Sequence, residues 1–96
     1  MLDNRRVIKS VEYNRESKAI ELSLNDGASL TIPVSQIQFD GSENRPTDAQ
    51  LAAVQRWGGG NSIYFESLSE VLFLEDLKDG IYGDRPWMES LAVAYV

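Results

Sequence analysis

At 96 residues, with 43% hydrophobic and 25% charged side chains, the chain has the size and make-up of one globular domain, which argues against disorder, collagen-like repeats and membrane insertion. It contains neither cysteine nor histidine, so disulfides, thiolate nucleophiles, thiolate metal sites and imidazole bases are all ruled out. A formal net charge of −6 opposes attraction to phosphate backbones, and direct nucleic-acid binding is not expected.

Residues 7–13 place Val7, Val11 and Tyr13 on one side and Ser10 and Glu12 on the other, a period-two pattern that predicts a strand; Ile8 and Lys9 interrupt it. Ile20, Leu22 and Leu24 alternate cleanly with Ala19, Glu21 and Ser23, as in a strand with one buried face. The polar residues 14–18 between them fit a hairpin loop. Asn25-Asp26-Gly27 follows, and its Asp-Gly pair supplies the positive φ of a tight turn. A third strand with Leu30 and Ile32 inward then runs to Pro33, which has no N–H for the ladder. These three strands make an antiparallel meander over residues 7–33.

Residues 34–39 read as one helical turn or an irregular crossing that buries Val34, Ile37 and Phe39, and residues 40–46 as a surface loop. Thr47 and Gln50 have the spacing of a capping box, Asp48 lies in the first turn, and Leu51, Val54 and Trp57 recur at helical spacing. One main helix is expected there, with Trp57 on its buried stripe and Gly58-Gly59-Gly60 as its stop. Ile63-Tyr64-Phe65 predicts a fourth strand, and Val71-Leu72-Phe73-Leu74 reads either as the start of a short helix closed by Gly80 or, the favoured reading, as a short fifth strand that turns into it.

In residues 84–96 two patterns compete. Pro86 suits a helix start with Trp87, Met88, Leu91, Ala92 and Tyr95 on one face, whereas a strand would group Leu91, Val93 and Tyr95. The expected fold class is α+β: a single domain over residues 1–96, with an antiparallel meander of three to five strands packed against one main α-helix and a short C-terminal helix or strand.

The succession Asn25-Asp26-Gly27, Ile32-Pro33, Thr47 through Trp57 running into the glycines, Ile63-Tyr64-Phe65, Leu68, Val71 and Leu77 to Gly80 resembles the bacterial family called domain of unknown function 2442, over about residues 5–82. Where that family commonly carries a tryptophan and an acidic cluster after the glycine run, this chain has Phe65, Glu66 and Glu70. The resemblance implies a small α+β module without an established activity. Some members are joined to a helix-turn-helix domain, and others are encoded beside small proteins in arrangements resembling toxin–antitoxin pairs.

The residues offer little chemistry. Asp26, Asp40, Glu66, Glu70, Glu75, Asp76 and Asp79 are available for acid–base work or for Mg²⁺ or Ca²⁺, but their spacing matches no ion-binding loop and a solvated acidic face accounts for them. Gly58-Gly59-Gly60-Asn61-Ser62 follows the expected helix instead of preceding one and lacks the lysine of a phosphate loop. No cofactor and no metal is expected.

The apolar tail is a different matter, because Trp87, Met88, Leu91 and Tyr95 lie beyond the meander and are too apolar to stand in water; they either cap the core or meet another chain, and on the second reading they are the candidate partner-binding residues. The sequence therefore points to a non-enzymatic interaction or regulatory module that binds another protein or a second copy of itself, antitoxin-like or a homodimer. An acidic inhibitor that mimics nucleic acid is the alternative, and a carboxylate-based enzyme a third reading. With no cysteine and no apolar run near Met1, the cytoplasm is the expected location and a membrane is not an expected partner.

Overall fold

Residues 6–39 and 46–93 are described by a computed structural model of the chain, the last two by their backbone alone. Two three-stranded antiparallel sheets form its framework. The first is β1 (Ile8–Asn14), β2 (Ala19–Leu24) and β3 (Ser29–Pro33); the second is β4 (Val54–Trp57), β5 (Ser62–Phe65) and β6 (Glu70–Phe73), each in the order of the chain. Helix α1 (Asp48–Ala52) lies between the sheets in sequence, α2 (Leu74–Leu77) follows β6, and α3 (Arg85–Val93) ends the described chain.

The first sheet is the expected meander, and its register explains the interruption at Ile8 and Lys9. Ile8 pairs with Leu24 and Ser10 with Ser23, so Lys9 is the extra residue of a β-bulge. The bulge shifts the phase by one, and Ile8 thereby joins Val11 and Tyr13 on the face that meets Leu24, Leu22 and Ile20. Ile8, Ile20, Leu22 and Ile32 are almost fully buried. The Asp26 carboxylate accepts from the Ala28 N–H at 3.0 Å while Gly27 takes φ +90°, as the predicted turn requires.

The main helix is shorter than its spacing predicts. Thr47 does form the capping box: its hydroxyl accepts from the Gln50 N–H at 3.2 Å and the Gln50 side chain accepts from the Thr47 N–H at 2.9 Å. Helix α1 nevertheless ends at Ala52, and residues 54–57 are a strand. Leu51 keeps its expected burial, whereas Trp57 is 50% exposed.

The reason for the difference lies in the residues that follow. Gly58–Gly60 is a 3-10 turn in which Gly59 takes a left-handed conformation, and it folds Val54 onto Phe65, Gln55 onto Tyr64, Arg56 onto Ile63 and Trp57 onto Ser62. Tertiary pairing of β-branched and aromatic residues outweighs a helical periodicity that rested on three positions. Replacing Thr47 by Ala should cost about 1 kcal/mol, since it leaves the N–H of Gln50 without its cap. Urea denaturation measures this, and an unchanged midpoint would show that the cap contributes nothing to so short a helix.

The two sheets meet where β1 approaches β4, and the Arg56 Nε–H donates to the Ile8 carbonyl across this junction at 2.7 Å. Both contribute to one core, which Ile37, Phe39, Leu51, Leu74 and Leu77 complete. Phe39 meets Phe65 edge to face, with ring centroids 5.3 Å apart. The run Val71-Leu72-Phe73-Leu74 is a strand that turns into a helix, and Gly80 closes the following turn with φ +76°.

Candidate functional site

The tail is helical from Arg85 through Val93, which resolves the choice between helix and strand. Its first turn is anchored on the segment after β3. The Trp87 indole N–H donates to the Gln36 carbonyl at 2.8 Å, the Asp84 N–H donates to Gln38 Oε1 at 2.8 Å, and the Gln38 N–H donates to the Tyr82 carbonyl at 2.9 Å. Met88 accepts from the Tyr82 N–H through its sulfur at 3.3 Å. Of the four candidate residues, Trp87 and Met88 thus make contacts within the chain, Leu91 is half-buried, and Tyr95 lies outside the described residues.

Trp87 also borders a cavity of about 450 Å³, with Tyr13, Lys18, Ile37, Phe39 and Leu51 among its walls. At its rim the Tyr13 hydroxyl donates to Asp48 Oδ1 at 2.6 Å and the Lys18 ammonium to Oδ1 and Oδ2 at 2.9 and 3.2 Å. The hydrogen bond from Tyr13 and then that from Lys18 hold the Asp48 carboxyl below its ordinary pKa, while hydrogen bonding to Asp48 raises both Tyr13 and Lys18.

Linkage fixes the sign of the pH dependence. The depressed Asp48 contributes stability that is present above its unfolded pKa, near pH 4, and lost as pH falls through the folded value. The raised Tyr13 contributes stability that is present below about pH 10 and lost as pH rises through its folded value. In Tyr13→Phe, stability measured against pH by urea denaturation should fall less steeply on both sides. Slopes equal to those of the native chain would show that this hydrogen bond does not couple folding to protons.

The carboxylates singled out in the sequence are dispersed. Asp26 pairs with Arg6 at 2.7 Å, Glu66 accepts from Gln55 and Glu75 pairs with Lys78, while Asp40 lies outside the described residues. Among the described residues no three acidic side chains gather closely enough to hold a cation.

What the sequence reading missed is the outer face of the second sheet. The register sets Trp57, Ser62 and Phe73 in one row across β4, β5 and β6, and Gln55, Tyr64 and Val71 in the next. Ile63 and Phe65, on the opposite face, are fully buried. Trp57 and Phe73 are 50% and 52% exposed, and Trp57 leans on Tyr64 with ring centroids 4.9 Å apart.

Ser62, the small residue between the two large ones, is buried and donates its hydroxyl hydrogen to nearby acceptors, Asn61 Oδ1 at 2.9 Å or the Trp57 carbonyl at 3.3 Å. Aromatic side chains thus stand open on the outer face of the sheet. Its signal in the sequence was the alternation of residues 54–57 against 62–65 about Gly-Gly-Gly-Asn, which the helical spacing of Leu51, Val54 and Trp57 obscured.

The family model described as protein of unknown function, DUF2442, matches residues 8–83, from the first residue of β1 to the turn before α3. The chain belongs to this family. The extent agrees with the resemblance in the sequence, and α3 lies beyond it.

Two solved structures are similar. One is the crystal structure of a protein of unknown function from Rhodospirillum rubrum, 30% identical, with a TM-score of 0.77 over 88% of this chain and 99% of that one. The other is the solution NMR structure of an uncharacterised protein from Chromobacterium violaceum, 27% identical, with a TM-score of 0.71 over 88% of this chain and 74% of that one. No curated protein matches. Among the described residues no helix is long and apolar enough to cross a membrane.

Proposed function

We propose that this DUF2442 domain is a non-enzymatic protein-binding module of the regulatory, antitoxin-like kind, and that its contact surface is the outer face of the second sheet. The observation that carries the reading is the exposure of Trp57 and Phe73, near Tyr64 and Val71, on a sheet whose other face buries Ile63 and Phe65 in the core. Tryptophan and tyrosine concentrate binding energy at protein interfaces, and a clustered aromatic surface on a small acidic domain marks a contact site. What supports the second sheet over the tail is that Trp87 and Met88 are engaged within the chain.

The test is capture of partners from the native host with the full chain and with a Trp57→Thr/Phe73→Thr variant. A protein recovered by the native chain and lost by the folded variant supports the reading. The same recovery with both, or none with either, contradicts it.

A further inference from the structure

Strand β6 is an edge of the second sheet: it pairs with β5, and among the described residues no other strand pairs with it. Its hydrogen-bonding phase is fixed by the Leu74 N–H, which donates to the Asn61 carbonyl at 2.9 Å. Counting back by twos along the antiparallel ladder makes Leu72 and Glu70 the residues that bond to β5. Val71 and Phe73 turn their N–H groups, and Val71 its carbonyl, to the outside.

A groove of about 120 Å³ lies beside this edge, with Val71, Leu72, Phe73, Asp76, Ile81 and Tyr82 among its lining residues. Phe73 and Ile81 are two of the large apolar side chains most exposed among the described residues. Glu70 precedes the outward-facing pair, and Glu75, Asp76 and Asp79 follow it, against the single ammonium of Lys78.

We infer that this edge takes an extended, lysine- or arginine-bearing segment of a partner protein as a further strand of the second sheet. The inference rests on the protein-binding reading of that sheet and names its partner by charge and backbone form. An exposed strand edge is a template for pairing, with main-chain bonds supplying affinity and alternate side chains specificity. Here the added strand bonds to Val71 and Phe73, sets apolar side chains into the groove, and brings its cations to Asp76 and Glu75. A second copy of this chain would bring the same acidic edge against it, which like-charge repulsion opposes.

Amide hydrogen exchange of the full chain, followed by NMR, tests this with a short synthetic peptide alternating lysine and valine and its glutamate counterpart. The lysine peptide should slow exchange at Val71 and Phe73, and its affinity should fall by roughly tenfold in a Glu75→Lys/Asp76→Lys variant. Strand addition is overturned by unchanged exchange at those two amides, by equal protection from the glutamate peptide, or by protection that rises with protein concentration alone, the mark of self-pairing. Host-partner capture that ignores Trp57 and Phe73 removes the reading beneath the inference; capture that depends on them without protection of Val71 and Phe73 removes strand addition alone.

Discussion

Replacing Gly60 by Ala is expected to destabilise the domain by about 3 kcal/mol, whereas the same change at the adjacent Gly59 costs only about 1 kcal/mol. Both glycines have positive φ, +98° and +69°, so part of the cost is shared. What separates them is space. A Cβ on Gly60 would stand 2.7 Å from the Ile8 carbonyl oxygen and 3.1 Å from the Ile8 nitrogen, while one on Gly59 would meet nothing within 4 Å.

The obstacle is backbone that has little room to move. Ile8 is fully buried, pairs with Leu24, and accepts from Arg56 at the junction between the sheets. Making room for the methyl group therefore means parting the two sheets. For a domain of this size, whose stability should lie near 5–10 kcal/mol, such a loss would shift thermal and urea midpoints visibly. Equal midpoints for the two variants would mean that the sheets do not meet at Gly60.

The same glycines show how far the sequence could be read. A run of three was legible as punctuation, but a helix stop and a hairpin turn ask for the same residue. The choice depended on whether Val54 and Trp57 continued the stripe begun by Leu51 or began a strand opposite Ile63 and Phe65, and that is a contact across the turn. The meander was legible because Asp26-Gly27 and the alternation of residues 19–24 act locally. The burial of Ile8 was not, because a bulge at Lys9 changes the phase and only the pairing with Leu24 reveals it.

The tail was legible as helix-compatible through Pro86, yet the acceptor of the Trp87 indole, the Gln36 carbonyl, is 51 residues away in the chain. The aromatic face was hidden for the same reason as β4. With Trp57 on a helical stripe, Tyr64 and Phe73 stand in isolation along the chain.

Removing that face should leave the fold intact. Trp57 and Phe73 are half exposed, and the Trp57–Tyr64 contact is worth about 1 kcal/mol. Threonine suits both positions, since Trp57 lies in a strand and Phe73 is the residue before α2, with extended backbone (φ −94°, ψ 138°) and no capping hydrogen bond of its own. With the apolar area that both half-buried rings give up added to that contact, the Trp57→Thr/Phe73→Thr variant should lose about 2–3 kcal/mol of stability and remain folded, whereas Phe65→Ala on the buried face of the same sheet should lose about 3–5 kcal/mol. Binding should respond in the opposite order. An aromatic anchor at the centre of an interface contributes about 2 kcal/mol or more, so the double variant should bind its partner roughly a hundredfold more weakly, or worse.

Calorimetric titration of a purified host partner into the native chain and into Trp57→Thr/Phe73→Thr, with urea midpoints measured on the same samples, decides whether Trp57 and Phe73 carry the contact. The expected result is a fall in affinity of roughly a hundredfold or more in a variant that remains folded. Equal affinity for the two chains would contradict it and place the contact surface elsewhere on the domain.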